Sequence, residues 1–250
     1  TRFAAALTPG TVSALNYSSR LYLLPIGVFA ISLSVVIFPS LSQAAVKKQM
    51  DVVKGQIERG MNMLAFFVIP SQVILIFYAQ EVVSLIYKRG AFREDMIIVT
   101  SQALAFYSAG LLFFSTIHLL TRSHYVFKDR KRPVMSSFTG ILINITLDFL
   151  LYKHYKHMGL TFATSTAAMV NYLILLFSLN KNYIKIDFLK YIRFIIVTLI
   201  ISGLAYLVSH FIPEIGDFRI SIIIKLVVFT MVYLLLWSPK IIKQKINMFG

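Results

Sequence analysis

The sequence predicts an all-α fold: a polytopic helical membrane protein with about seven transmembrane helices. Three observations lead there. Hydrophobic residues make up 58% of the 250 residues and charged ones only 14%, where a soluble domain carries roughly 25% charged residues. The apolar residues run in long uncharged blocks, at 21–46, 96–121, 134–147 and 194–209, and a helix crossing the hydrocarbon core needs roughly 20 mainly apolar residues. The Lys and Arg residues gather mostly in short stretches between such blocks. A transmembrane β-barrel would need short segments of alternating polarity, which this sequence lacks.

Taken in order, spans are expected at residues 11–45, 60–87, 95–121, 133–152, 159–179, 189–211 and 219–237. The first and second carry internal prolines, Pro25 and Pro70, which membrane helices tolerate and often use as kinks. The fourth opens on Pro133, suited to the first helical position because its missing N–H has no partner there anyway. Pro213 and Pro239 follow the last two spans as terminators. Before the first span, Phe3-Ala4-Ala5-Ala6-Leu7 reads as the end of a preceding helix, so the chain is expected to be part of a longer protein. The polar stretch 180–187 divides the chain into residues 1–180, a helical lobe, and 181–250, an appended helical pair with a basic tail.

The loops alternate in charge. Lys47, Lys48, Lys54 and Arg59 lie in the first; Arg122, Lys128, Arg130, Lys131 and Arg132 in the third; Lys181, Lys185, Lys190 and Arg193 in the fifth; and Lys240, Lys243 and Lys245 in the tail. The loops between are balanced or poorer in basic residues, as where Glu94 and Asp95 face Lys88, Arg89 and Arg93. The positive-inside rule places the first set in the cytoplasm, with the C-terminus. The net charge of +15 is thus explained by topology. Nucleic acid is excluded as a partner, because no soluble basic face remains to hold it. The chain has no cysteine, which removes disulfides and thiolate metal sites.

No nucleophile elbow, phosphate loop or paired carboxylates mark an enzyme. His154 and His157 are three apart, but lack a neighbouring carboxylate and read as interfacial. Polar residues inside spans are the better lead, because lipid makes them costly. Arg20 lies about ten residues into the first span, roughly 15 Å along it, with Asn16, Tyr17, Ser18 and Ser19 beside it. It either faces a wet cavity or snorkels outward from a span that begins at Leu21. Asn144 and Asp148 are four apart and share a helix face. Thr164 and Thr166 lie at similar depth on the next, antiparallel helix. A carboxylate, an amide oxygen and a hydroxyl suit a hard cation; the alternative is a hydrogen-bonded pair between helices. Lys225 reads as snorkelling to the outer interface. The basic run 128–132 reads as a topology determinant that also meets anionic headgroups.

Four stretches resemble the MurJ/MviN family of the multidrug/oligosaccharidyl-lipid/polysaccharide exporter group. They are Gly10-Thr11-Val12-Ser13-Ala14-Leu15-Asn16-Tyr17-Ser18-Ser19-Arg20-Leu21, leading to Leu24-Pro25-Ile26-Gly27; Ile86-Tyr87-Lys88-Arg89-Gly90-Ala91-Phe92; Tyr125-Val126-Phe127-Lys128-Asp129-Arg130-Lys131-Arg132-Pro133; and Gly159-Leu160 through Ala167-Ala168-Met169-Val170-Asn171. The resemblance implies the C-terminal half of a fourteen-helix, two-lobe transporter. Its members flip lipid II, an undecaprenyl-pyrophosphate glycolipid, from the cytoplasmic to the periplasmic leaflet by alternating access, without chemistry on the substrate. It implies multi-pass residence in the bacterial inner membrane, with lipid II, membrane lipids and the absent N-terminal lobe as partners. By position, Arg20 matches a cavity arginine that receives the pyrophosphate, with Asn16 and Tyr17 beside it. Asn144, Asp148 and Thr164 match positions that bind sodium in some members, so a sodium ion is the one cofactor implied. The last two helices would line a groove for the polyprenyl tail. Many members carry an acidic residue where this chain has Leu23, so Arg20 would have a different partner. Two rivals remain: a flippase for another polyprenyl-linked oligosaccharide, and a non-transporting membrane scaffold.

Overall fold

The computed structural model describes residues 10–90 and 92–243, with side chains to Ser238. The expected helix end at 3–7, Ala91 of the second family stretch, and the basic tail beyond Lys243 lie outside the described residues. The described residues form helices and turns, with no strand among them.

The first span runs Thr11–Val46, but not as one regular helix. Helix α1 (Thr11–Pro25) passes into a π-helical turn, Ile26–Ile31, and then into α2 (Ser32–Val46). The π-turn begins where Pro25 lacks an N–H for the carbonyl four residues before it. Helix α3 (Met50–Phe77) starts ten residues earlier than the sequence suggested. The charges of residues 50–59 suggest a loop. These residues are helical because Val53 and Ile57 are wholly buried, on the stripe that continues through Met61, Leu64 and Val68. Lys54 and Glu58 pair across the outer face.

The expected second span is broken at Tyr78, where α3 gives way to a short helix, α4 (Ala79–Tyr87). Pro70, by contrast, does not interrupt α3. The carbonyl that Pro70 leaves without a donor belongs to Phe66, and the Tyr233 hydroxyl donates to it at 2.6 Å. The third span is also broken: α5 (Glu94–Ala109) and α6 (Leu111–Val126) meet at Gly110 with a 45° bend.

Helix α7 (Lys131–Asn182) has 52 residues, about 78 Å if straight. It is not straight. Lys156 has φ 48° and ψ −130°, and the two limbs fold against one another. Ser136 bonds Asn171 and Asn144 bonds Thr164, the register of an antiparallel hairpin closed near residue 155. Counted as two limbs, α7 brings the spans to the expected seven. The helix begins at Lys131, so Pro133 is its third residue rather than its first, still within the turn whose N–H groups have no helical partner. Helices α8 (Phe188–His210) and α9 (Phe218–Lys243) complete the chain. Pro239, expected to stop the last helix, lies inside it.

Helix α3 is the central post, the most buried of the spans. It packs on α2, α6 and α8. At Gly60 the Leu119 side chain fills the space a Cβ would take, with one of its methyls 2.8 Å from that position; small residues permit such packing between membrane helices. Helices α8 and α9 dock on α3 through Phe66, Val73, Ile201, Ala205, Phe229, Tyr233 and Trp237, and through a buried hydrogen bond of 2.8 Å between the Tyr78 and Ser209 hydroxyls.

Candidate functional site

Helix α1 divides into two faces. Ala14, Ser18 and Leu21 are buried, on a helix that packs against α5. Ser13, Asn16 and Arg20, three and four apart, lie together on the exposed side. Beyond Arg20 the exposed positions become apolar, with Leu23, Leu24 and Val28. The charged part of the face therefore lies in the first half of the span. Among the described residues no hydrogen bond or ion pair engages Arg20, though its charge reaches the Tyr87 hydroxyl. Tyr17 is set apart from Asn16 and Arg20. Its ring packs at 4.9 Å from Tyr87 and 5.4 Å from Phe92, and its carbonyl accepts from Tyr87 at 3.2 Å. The structure thus brings Asn16 and Arg20 together and places Tyr17 as the anchor of α1 on the loop after α4.

The second candidate cluster lies inside the α7 hairpin. Asn144 Nδ2 donates to Thr164 Oγ1 at 3.2 Å, and that hydroxyl donates to the Leu160 carbonyl at 3.0 Å. Asp148, one turn from Asn144, has a buried Oδ1 without a hydrogen-bond partner among the described residues. Thr166 turns away and bonds its own helix at Phe162. A buried carboxylate oxygen with no donor is costly and is the feature that suits a cation. Asp148 Oδ1, the free amide oxygen of Asn144 and a lone pair of Thr164 are hard oxygen donors of the kind sodium accepts. The same Asn144–Thr164 bond also serves as an interhelical tie. No group of three His, Asp or Glu side chains comes together among the described residues. His154 is exposed, and His157 Nε2 lies 2.9 Å from Gln102 Oε1. Burial, and then the Lys156 charge, press the His157 ring toward its neutral form. Lys225 is half-buried on α9.

Two features escaped the sequence reading. The first is the break at Gly110, which ties the two clusters together. Ser165, next to Thr164, donates to the Phe106 carbonyl at 2.7 Å, and Gln72 donates to the Ala109 carbonyl at 3.1 Å. These side chains satisfy carbonyls at the open end of α5. A Cβ at Gly110 would stand 2.8 Å from Ser165 Oγ, so glycine is required by close approach. From the other side the Tyr22 ring of α1 lies tilted against Tyr107 at 4.8 Å and stacks on Phe114 at 5.5 Å. Gly110 within an apolar block was the available signal. The second feature is a polar network of His124, Asp129, Arg132 and Tyr183 at the α6–α7 turn. Its members lie up to 59 residues apart, which no local pattern reveals.

The matches with known proteins decide what this scaffold belongs to. The family model described as lipid II flippase MurJ matches residues 1–234. The chain belongs to the MurJ family. The lipid II flippase MurJ of Thermosipho africanus is 32% identical over 224 residues, spanning 90% of this chain and 44% of that protein. The probable lipid II flippase MurJ of Haemophilus influenzae is 28% identical, over 95% of this chain and 47% of its own length. A solved structure of lipid II flippase MurJ in an inward closed conformation superposes with a TM-score of 0.78 at 29% identity, covering 96% of this chain and 50% of that one. The chain therefore spans about half the length of the MurJ relatives it matches, and its helical membrane architecture is that of half a MurJ.

Proposed function

We propose that this chain is the C-terminal lobe of a lipid II flippase, acting with an N-terminal lobe to carry lipid II from the cytoplasmic to the periplasmic leaflet without altering it chemically. The observation that carries the reading is the exposed Asn16–Arg20 face of α1, set in a chain that matches MurJ over nearly its whole length. A guanidinium inside a span is costly, by about 2.5–3.5 kcal/mol on insertion scales. An anion or a wet cavity offsets that cost. The lipid II pyrophosphate suits the planar fork of Arg, which bonds phosphate in bidentate fashion. Alternating access needs two bundles around one central site, and Arg20 would stand on this lobe's side of it.

The basic loops favour a cytoplasmic C-terminus in the bacterial inner membrane. Residues 1–180 would form the transport lobe. Residues 181–250 would supply the helical pair along which the polyprenyl tail runs. Asn144, Asp148 and Thr164 would hold a sodium ion, with Asp148 as the charged ligand. Sodium would supply only charge and cohesion between the hairpin limbs there.

The test uses the full two-lobe protein. Arg20→Ala should abolish lipid II translocation at normal expression and folding. Arg20→Lys should restore it only in part, because a point charge does not reproduce the fork. Full translocation by Arg20→Ala, at matched protein level, would leave Arg20 as an interfacial anchor.

A further inference from the structure

The turn between α6 and α7 holds groups that the transport reading leaves unused. His124, wholly buried near the end of α6, has an oxygen against each ring nitrogen. Nδ1 lies 3.0 Å from Asp129 Oδ2, and Nε2 lies 3.1 Å from the Leu175 carbonyl. A carbonyl oxygen only accepts, so Nε2 must carry a hydrogen. An ionised carboxylate also only accepts, so Nδ1 must carry one whenever Asp129 is charged.

Everything else around Asp129 keeps it charged. The Arg132 guanidinium donates to it at 2.9 Å, the Arg132 backbone N–H at 3.2 Å and the Tyr183 hydroxyl at 3.1 Å. Burial opposes the charge, but these bonds, with that from His124, outweigh it and hold the carboxyl down to about 2. Arg132 also donates to Tyr183 at 2.6 Å. Phe127 stacks on the Tyr183 ring at 4.4 Å. The titratable or charged groups facing the imidazole are thus Asp129 from the turn, Arg132 from the start of α7 and Tyr183 from beyond its end. Among the described residues, α2, α3 and α5, which also pack near α6, bring no hydrogen bond or ion pair to the ring.

We infer that His124 is a buried imidazolium paired with Asp129, and that the pair is a proton-operated latch fastening the α6–α7 turn to the second limb of the α7 hairpin. Removing either ring proton sets a nitrogen lone pair about 3 Å from an oxygen lone pair, with the ring itself wholly buried. A neutral ring cannot satisfy both oxygens. The fastened turn holds one more proton than a freed turn with a neutral ring. The latch is therefore closed at lower pH and opens as pH rises. Opening frees the Leu175 carbonyl and removes one of the ties that hold residues 127–130, leaving the turn on the Arg132 and Tyr183 bonds alone.

The experiment places the full-length protein, labelled with ¹⁵N-histidine, in lipid bilayers. Nitrogen resonance then reports whether each ring carries one hydrogen or two. The His124→Gln variant identifies the His124 signal. Should that variant fail to fold, Asp129→Asn identifies it instead, as the signal that loses its second hydrogen. At neutral pH the His124 ring is expected to carry both hydrogens. As pH is raised, loss of one should coincide with faster backbone amide exchange at residues 127–130. A bare ring nitrogen on His124 at neutral pH would overturn the assignment. Deprotonation without any change in that exchange would overturn the latch.

Discussion

Tyr233→Phe removes one oxygen and should loosen the attachment of the last two helices. Pro70 gives α3 no N–H at that position, so the Phe66 carbonyl has no helical donor. The Tyr233 hydroxyl fills the gap at 2.6 Å, and both residues are buried. The phenylalanine keeps the ring that packs 5.4 Å from Phe66 and removes the hydroxyl, which serves the Phe66 carbonyl and also meets Trp237; the cycle with Pro70 isolates the first of these. Hydrogen bonds between membrane helices average about 0.6 kcal/mol. A buried carbonyl left with no donor costs more, about 1–3 kcal/mol. The expected loss is therefore about 2 kcal/mol, roughly 30-fold in the folding constant. Restoring the helical donor with Pro70→Ala should erase most of that loss. The double-mutant cycle should give a coupling of at least about 1 kcal/mol. Reversible unfolding of the full-length protein in mixed micelles measures it. Trp237, in the same cluster, serves as the fluorophore once other tryptophans are replaced. A cost below about 0.5 kcal/mol, or the same cost with and without Pro70, would refute the reasoning.

Three further outcomes are expected. The Asp129 carboxyl is held at about 2, below the roughly 3.9 of an unfolded chain. Its contribution, on the order of 1–2 kcal/mol, is present above about pH 4 and lost as pH falls toward 2, so Asp129→Asn should flatten the acid limb of a thermal-stability profile; an unchanged limb would mean that the network is not formed in solution. Asp148→Asn in the full-length protein should remove any sodium dependence of transport or thermal stability, and retained dependence would return Asn144, Asp148 and Thr164 to a purely structural tie. Single cysteines introduced at Arg93, His157 or Gly216 should react with an impermeant thiol reagent in spheroplasts, and those at Lys54, Lys131 or Lys185 should not; strong labelling at position 131 would invert the topology.

The number and order of spans were legible because each rests on composition within one block, and lipid enforces that composition residue by residue. The breaks were not. Gly110 ends a helix where side chains from elsewhere, Ser165 and Gln72, receive the carbonyls before it, and at Tyr78 the side chain at the break is tied to the distant Ser209. Pro70 illustrates the same limit from the other side. Its sequence position suggests a kink, and a tyrosine 163 positions later takes up the carbonyl it orphans. In residues 50–59 the charges mask the buried stripe of Val53 and Ile57. At the candidate sites, the Asn144–Thr164 approach could be anticipated from helical spacing and a short hairpin. The separation of Tyr17 from Arg20 follows from ring packing against Tyr87 and Phe92, which adjacency in sequence does not convey. The His124 network depends on Tyr183 and Leu175 returning to the α6–α7 turn, a consequence of the hairpin itself.

The central claim, that this chain is one of two lobes that together flip lipid II, is tested most directly in cells depleted of their own flippase. Lipid II reaching the outer leaflet is measured after expressing either the full two-lobe protein or this chain alone. The full protein is expected to restore translocation and growth, and the chain alone to restore neither while still inserting in the membrane. Translocation by the chain alone, or its absence with the full protein, would contradict the account.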